Sequence, residues 1–323
     1  AETLKAKAKE ILFTSGGTES DNMALIGGCF AKMRQGKHII SSAIEHPAIY
    51  KALEFLESHG FEISILPVDE KGHISLTELE KTLREDTVMV SIMTVNNEMG
   101  AVEDIHAIGE LIKKKNPNCL FHTDAIQAYG KMILHPKKDF VDLLSVSGHK
   151  LHGPKGIGFL FIDEKVKINP ILFGGGQQGG LRSGTLNIPG IAGMGLAAKM
   201  VYQDFPKKIE KLYELKDYFI AELEKLPEVK VNSEKGKASA PQIVSASFYG
   251  IKAEVLLHAL EEKGIYVSSG SACSSNHPGI SGTLKAIGLT DKELDSTLRF
   301  SFSFLTEKYE LTDTIEALKE LLP

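Results

Sequence analysis

Four polar residues of this sequence, a lysine, an aspartate, an asparagine and a histidine, each follow an apolar stretch. Lys150 comes after FVDLLSVSGH, Asp124 closes CLFHTDA, and Asn97 closes VMVSIMTVNN. His46 follows HIISSAIE in the same way. In a parallel sheet, ligands bind beyond the carboxyl ends of the strands. We therefore expect these four side chains to hold one ligand.

A glycine-rich motif near the start of the chain is suited to an anion. In FTSGGTESDN, Gly17 and Thr18 come directly before a helical pattern. Free backbone N–H groups and the helix dipole at such a position favour phosphate. For the motif alone, a plain helix-entry turn is an equally good interpretation.

Taken together, these groups indicate one cofactor. A lysine amine forms a Schiff base, a carboxylate keeps a pyridinium nitrogen protonated, and the glycine-rich turn holds a phosphate. Pyridoxal 5'-phosphate requires all three. We therefore predict that Lys150 is the Schiff-base lysine, with Ser147 and His149 available to the phosphate.

The elements that must position these residues alternate along the chain. Apolar runs such as HIISSAI, FEISILPV and GIGFLFI alternate with amphipathic segments such as AIYKALEFLESHG. Strands that are apolar on both faces predict a mostly parallel sheet flanked by helices, hence an α/β fold. We expect a large cofactor-binding domain over residues 1–204 and a smaller α+β domain over residues 205–323. In the smaller domain, IYVSSGSA is interpreted as a strand.

Composition excludes several classes of function. The 323 residues carry a net charge of −5, which gives no electrostatic reason to expect nucleic acid. No apolar stretch is long enough to span a membrane, so we expect a soluble protein. The three cysteines, Cys29, Cys119 and Cys273, lie far apart. That spacing predicts no metal site and suits a reducing, cytoplasmic compartment.

Seven motifs, in order, resemble one known family. They are FTSGGTESDN, EHPAIY, VNNEMG, HTDAIQAYGK, SGHKLHGPKGIG, GGGQQGGLRSGT and SSGSACSS. They look like those of the cysteine desulfurases of the NifS/IscS kind, within the class V aminotransferases, over residues 11 to 310. The resemblance implies the type I pyridoxal-phosphate fold, with the smaller domain carrying the nucleophilic cysteine loop, and a homodimer.

The same resemblance implies roles around the cofactor ring. Lys150 would be the Schiff-base lysine and Asp124 the partner of the pyridinium nitrogen. His46 would stack on the ring and take part in catalysis. Gln127 would hydrogen-bond the phenolic oxygen, and Asn97 would hold that oxygen and the substrate carboxylate.

Further roles concern the phosphate and the substrate. Arg299 in LRFSFSF matches the arginine that pairs with the substrate carboxylate, and Cys273 in SGSACSS matches the nucleophile. The residues implied at the phosphate are Gly17, Thr18, Ser147, His149 and, from the second subunit, Thr185.

The reaction implied converts L-cysteine into L-alanine and leaves a persulfide on Cys273. The sulfur would pass to an acceptor protein, a scaffold or a tRNA-thiolation enzyme, for iron–sulfur clusters, thiolated tRNA or thiamine. Family members usually begin with a segment resembling YLDNAATT, so we expect one to be missing before Ala1. A chain without it would bind cofactor yet turn over slowly.

Other interpretations remain open for the chain and for single residues. The enzyme could be a selenocysteine lyase or another class V aminotransferase-like enzyme, or the chain could be a truncated, non-catalytic interaction subunit. Lys150 alone would be one more surface lysine, and Cys273 alone an inert small residue. Glu19 and Asp21 are interpreted as charges that complement a helix start. His122 and His152 receive no role.

Overall fold

The computed structural model describes residues 1–269 and 281–322. The chain forms two compact units. The first comprises Ala1–Pro67, Ile74–Val95 and Glu103–Gln203, and the second comprises Val68–His73, Asn96–Val102 and Asp204–Pro323. Cys273 lies outside the described residues.

The first unit is built on a seven-stranded sheet with the strand order β1-β7-β6-β5-β4-β2-β3. The neighbouring pairs from β6 through β5, β4 and β2 to β3 are parallel, whereas β7 is antiparallel to both β1 and β6. This arrangement confirms the predicted mostly parallel sheet. The strands are β1 Ile11–Thr14, β2 His38–Ser42, β3 Glu62–Leu66, β4 Thr87–Ser91, β5 Leu120–Asp124, β6 Leu143–Ser147 and β7 Gly158–Ile162.

The strands in the middle of this sheet are buried along their whole length. Every residue of β2, β4, β5, β6 and β7 is buried. Burial of both faces explains why their sequences show little polar alternation. The helices of the unit are α1 Gly17–Asn22, α2 Gly28–Lys32, α3 Pro47–Ser58, α4 Leu76–Thr82, α5 Ile105–Lys115 and α6 Ile188–Tyr202.

Local sequence signals explain where several helices begin. The Ser75 hydroxyl accepts a hydrogen bond from the backbone N–H of Glu78 (3.4 Å) at the start of α4. The Asp104 carboxylate caps α5 in the same way, accepting from the Ala107 N–H at 3.0 Å. Such caps satisfy backbone donors that have no partner within the helix, and each contributes about 1 kcal/mol.

The second unit is an α+β arrangement around a three-stranded antiparallel sheet of order β10-β9-β8. Phe219 packs edge-on against Phe300 with ring centroids 5.0 Å apart, and Phe248 completes this aromatic core. Burial of each ring contributes on the order of 1.5–3 kcal/mol. The elements are α7 Phe205–Leu223, β8 Val229–Val231, β9 Ile243–Phe248, α8 Ala253–Glu262, α9 Gly282–Ala286, α10 Asp291–Leu294, β10 Thr297–Ser301 and α11 Lys308–Leu321.

One predicted element of the second unit is wrong. The stretch IYVSSGSA was interpreted as a strand, but residues 265–267 form none, and Ser268 makes only an isolated bridge to Arg299. The apolar alternation at this point comes from side chains that pack against the core of the unit, Ile265 and Val267.

Among residues 1–269 and 281–322, no helix is both long enough and apolar enough to cross a membrane.

Candidate active site

The ends of neighbouring strands in the first unit bring two of the sequence-predicted residues, Asp124 and Ser147, to one edge of the sheet. Asp124, the last residue of β5, pairs in register with Ser145 of β6. Two residues later, Ser147 ends β6 and pairs with Gly158 of β7, which in turn pairs with Thr14 of β1. The loops that follow β1, β5 and β6 therefore emerge side by side.

The loop after β1 approaches the end of β6 closely because glycines leave room for it. A Cβ atom on Gly158 would lie 2.8 Å from the Gly16 Cα, so this position accommodates no side chain. A Cβ on Gly17 would lie 2.0 Å from the Ile126 side chain and 3.7 Å from the Ser147 Cβ. Gly17 is buried, and it opens α1 beside Ser147.

Ser147 and His149 form the polar side of this loop junction. The Ser147 hydroxyl lies 2.8 Å from Nδ1 of His149. Thr18 is exposed in the first turn of α1. A helix start with a serine, a histidine and a threonine beside it offers hydrogen-bond donors of the kind that bind phosphate.

Asp124 is a buried carboxylate that experiences the charge of Lys150. It is 4 % exposed, and its Oδ1 accepts a hydrogen bond from the Ile126 N–H at 2.8 Å. Burial raises the pKa of Asp124 to about 6, against the opposing effects of the Ile126 N–H and the positive charge of Lys150. At neutral pH the carboxylate is mainly ionised, and it favours a cation next to it.

Lys150 lies in a 3-10 turn, Gly148–Leu151, directly after β6, and it is exposed. Its charge also reaches His46: burial, followed by the charge of Lys150, lowers the pKa of His46. His46 is therefore neutral at pH 7. Since its Nδ1 accepts the Ala48 N–H (3.1 Å) as the cap of α3, the ring proton is on Nε2.

Gln127 and Thr185 also belong to the first unit. Gln127 is half-buried in the turn after β5, three residues beyond Asp124. Thr185 is exposed in the segment that leads into α6.

The second unit brings together Asn97 and Arg299. Nη1 of Arg299 donates to the Asn97 carbonyl (2.8 Å), and Nη2 lies 3.3 Å from the Ser268 hydroxyl. Beside them, Ser281 donates a short hydrogen bond of 2.5 Å to Glu98. Burial raises the pKa of Glu98, although the Ser281 hydroxyl and the Arg299 charge oppose that shift.

The two cysteines that the structure describes are unreactive as nucleophiles at neutral pH. Cys29 and Cys119 are both buried. Burial, followed by the proximity of Cys119, raises the pKa of Cys29 well above its ordinary value. Burial raises the pKa of Cys119 to about 12. Neither thiol forms a thiolate at neutral pH, which agrees with their interpretation as packing residues.

Behind Asp124 lies a buried polar cluster that the sequence analysis missed. Asp21 was read as complementing a helix start, but it is fully buried, 3.7 Å from Nε2 of His122. Burial and then the charge of Asp124 raise the pKa of Asp21 well above its ordinary value. His122 bridges the hydroxyls of Ser91 (2.9 Å) and Ser145 (3.0 Å), and burial lowers its pKa to about 3.

Glu45 is a second missed residue, next to His46. It is buried, and its Oε1 accepts hydrogen bonds from the Ser42 hydroxyl (2.6 Å) and the Met93 N–H (2.9 Å). Burial raises the pKa of Glu45 to about 8, so it is neutral at pH 7. It ties the loop that carries His46 to the chain beyond β4. A carboxyl group inside an apolar stretch, SSAIEH, was the available signal.

These observations fit the cofactor predicted from the sequence. The Gly17 turn opens α1 beside Ser147, and the free backbone N–H groups of such a helix start are suited to a phosphate. A buried carboxylate is costly without an opposite charge, and a protonated ring nitrogen would supply one to Asp124. The donor set therefore matches a phosphorylated aldehyde of a pyridine.

Comparison with known proteins places the chain among relatives of one kind. The family model described as aminotransferase class-V matches residues 1–313. A cysteine desulfurase IscS from Dictyoglomus turgidum is 42% identical over 323 residues, which are 100% of this chain and 81% of that protein.

Solved structures agree with this result. A NifS-like protein superposes with a TM-score of 0.93 at 34% identity, covering 99% of this chain and 84% of the other. A second structure, described as SspA in complex with cysteine, has a TM-score of 0.78 at 34% identity and covers 94% and 84% of the two chains.

Proposed function

Because this chain belongs to the class-V aminotransferase family and is a pyridoxal-phosphate-dependent cysteine desulfurase, we propose that it stores the sulfur of L-cysteine as a persulfide on Cys273 and releases L-alanine. The observation that carries the proposal is the buried Asp124 carboxylate. It experiences the positive charge of Lys150, and the strands that lead to these two residues, β5 and β6, are neighbours in the sheet. A relative at 34% identity has been solved with cysteine, which supports cysteine as the substrate.

When bound, pyridoxal phosphate supplies an aldehyde that joins amines covalently and a ring that withdraws electrons from the substrate Cα. Lys150 would hold the aldehyde and, once displaced by the substrate amine, move the proton of the substrate Cα. Asp124 would keep a proton on the ring nitrogen. His46, neutral and with its proton on Nε2, would lie against the ring, and Gln127 would hydrogen-bond the phenolic oxygen.

A second set of residues would orient the cofactor by binding its phosphate group. Gly17, Thr18, Ser147 and His149 would donate hydrogen bonds to the phosphate oxygens. In the second unit, the Arg299 guanidinium would pair with the substrate carboxylate, a task for which its planar fork of donors is suited. Asn97, whose carbonyl anchors Arg299, would assist it.

Cys273 would carry the sulfur chemistry. Its thiolate forms a bond to the substrate sulfur while the bond between that sulfur and the substrate Cβ breaks. The electron pair of the broken bond stays with the substrate carbon, which takes up a proton, so that alanine leaves. The product on the enzyme is a persulfide, a reversible thiol modification from which sulfur can pass to an acceptor thiol.

The test of this function is the formation of alanine. The purified chain with pyridoxal phosphate, L-cysteine and a thiol acceptor is expected to release alanine and sulfide in equal amounts, measured by amino-acid analysis and a sulfide assay. Turnover of L-selenocysteine alone would identify a selenocysteine lyase instead, and amino transfer without sulfur release would identify an aminotransferase. A colourless chain that forms stable complexes would identify an interaction subunit.

A homodimer is part of the proposal. The first unit exposes large apolar side chains on α6 and in the chain before it: Ile188 is 61 %, Leu196 59 % and Phe173 80 % exposed. Exposed apolar side chains concentrated in one region are typical of an interface. Covering this region with a second copy would also bring Thr185, in the segment just before α6, to the partner's phosphate site.

Leu196→Glu is expected to weaken dimerisation about tenfold or more, because it would place a charge in an apolar interface. Cofactor affinity is expected to fall with it, since Thr185 is proposed to act across subunits. Analytical ultracentrifugation and cofactor titration measure the two effects. Val255→Glu, at a position 56 % exposed on α8, is the matched control. Dilution that separates the subunits without weakening cofactor binding would contradict the role of Thr185.

The other parts of the proposal concern organisation and partners. The first unit would be the cofactor-binding domain, and the second would carry the nucleophilic loop with Cys273. The sulfur acceptor would be a scaffold or a tRNA-thiolation enzyme, and the three widely spaced cysteines support a cytoplasmic location.

A further inference from the structure

Lys131 is a buried lysine that the mechanism above does not use. It is 5 % exposed, in the segment that follows Asp124, the last residue of β5. Gly130, with φ of 80°, makes the turn before it, and the Lys131 N–H donates to the Ala128 carbonyl at 2.9 Å. Because taking an ammonium group out of water is costly, its burial calls for a specific role.

The side chain of Lys131 reaches the backbone of Lys150. Its Nζ donates to the Lys150 carbonyl at 3.0 Å. That carbonyl belongs to the 3-10 turn Gly148–Leu151, which holds Lys150 after β6. Lys131 therefore joins the loop that starts at Asp124 to the turn that presents Lys150.

The positive charges of Lys131 and Lys150 also oppose each other. Burial, followed by the charge of Lys150, lowers the pKa of Lys131 to about 8. The interaction is mutual, so a charged Lys131 disfavours a proton on the Lys150 amine. The coupling acts below about pH 8, where Lys131 carries its charge.

Other titratable groups also experience the charge of Lys131 or of Lys150. Asp124 is the negative group that experiences Lys150, while His46 and His149 experience its positive charge. His152, to which the sequence analysis gave no role, experiences the positive charge of Lys131 after the effect of burial. Lys131 is thus the cation that opposes the effect of Asp124 on Lys150.

We propose that Lys131 is a positioning residue for Lys150: its ammonium group anchors the Lys150 carbonyl at 3.0 Å and sets a second positive charge against that of the nitrogen that Lys150 uses toward the cofactor. This inference rests on the proposed function. A lower proton affinity leaves more of the Lys150 amine free of its proton, the form that accepts a proton from the substrate Cα.

The experiment compares the full chain loaded with pyridoxal phosphate in four forms: wild type, Lys131→Met, Lys131→Gln and Lys131→Arg. The visible absorbance is titrated with pH, because the band reports the protonation of the nitrogen that joins Lys150 to the cofactor. Lys131→Met and Lys131→Gln are expected to raise the midpoint by about one pH unit, and Lys131→Arg to leave it near the wild-type value.

The set of variants separates an effect of the Lys131 charge from a failure of the chain to fold. Lys131→Gln keeps a hydrogen-bond donor without the charge, so it provides the test if Lys131→Met does not fold. Lys138→Met, which removes an exposed lysine seven residues further on, is the control and is expected to titrate as wild type.

The experiment distinguishes failure of the inference about Lys131 from failure of the proposed function. A normal wild-type titration that Lys131→Met and Lys131→Gln leave unchanged would overturn this inference alone. A wild-type chain that develops no cofactor band would overturn the proposed function and this inference with it.

Discussion

Lys150→Ala is expected to lose the visible band of bound cofactor and to slow alanine formation from L-cysteine by about 10³-fold or more. The size of the expected loss in rate follows from the two tasks proposed for this amine. These are covalent attachment of the cofactor and proton transfer at the substrate Cα. Alanine at this position removes the only amine in the turn Gly148–Leu151 that follows β6. Absorbance spectra before and after addition of L-cysteine, together with alanine release, measure both effects.

The matched control for this variant is Lys167→Ala, which removes an exposed lysine of the same unit. It is expected to keep the band and the rate. Added methylamine is expected to restore part of the proton transfer in Lys150→Ala, because a free amine can take over that task. A Lys150→Ala chain with the wild-type band and rate would remove this lysine from the mechanism.

Cys273→Ala is expected to bind the cofactor normally while alanine formation from L-cysteine falls about 10³-fold or more. The thiolate is the group proposed to take the substrate sulfur, and a methyl group cannot form the new sulfur–sulfur bond. The visible band and its response to L-cysteine should persist, because Cys273 is not among the groups proposed to bind the cofactor. Mass spectrometry should find one extra sulfur atom on the wild-type chain after L-cysteine and none on the variant.

Cys29→Ala and Cys119→Ala are the controls for this prediction. Both thiols are buried, and burial raises their pKa values, so neither supplies a nucleophile at neutral pH. Each variant is expected to keep the persulfide and the rate, with a small loss of stability from the sulfur atom removed. Persulfide on either of these cysteines, or full activity of Cys273→Ala, would refute the assignment of the nucleophile.

Much of the fold could be predicted from local sequence. Runs such as LLSVS and GFLFI are buried on both faces, and their sequences lack polar alternation for that reason. The amphipathic helix after His46 was readable from spacing alone. The strand prediction for IYVSSGSA failed at residues 265–267 because apolar side chains that pack on a core give the same local pattern with or without a strand ladder.

The candidate site was only partly readable in this way. The strand-end residues His46, Asp124 and Lys150 were found because a polar group that ends an apolar strand is unusual. Asp21 and Lys131 were missed, since in sequence they look like helix-start and surface charges. Their burial depends on what packs over them, which is decided by distant parts of the chain.

By itself, the sequence determined the class of fold, the positions of most strands and helices, and the motifs that identify the family. These depend on periodicity and on residue types within short windows. Only the tertiary structure decided which charges face each other. Lys131 meets the Lys150 carbonyl because β5 and β6 are neighbours in the sheet, and Arg299 meets Asn97 across 202 residues of sequence. Strand order and side-chain burial arise from contacts between distant segments, and no local pattern encodes them.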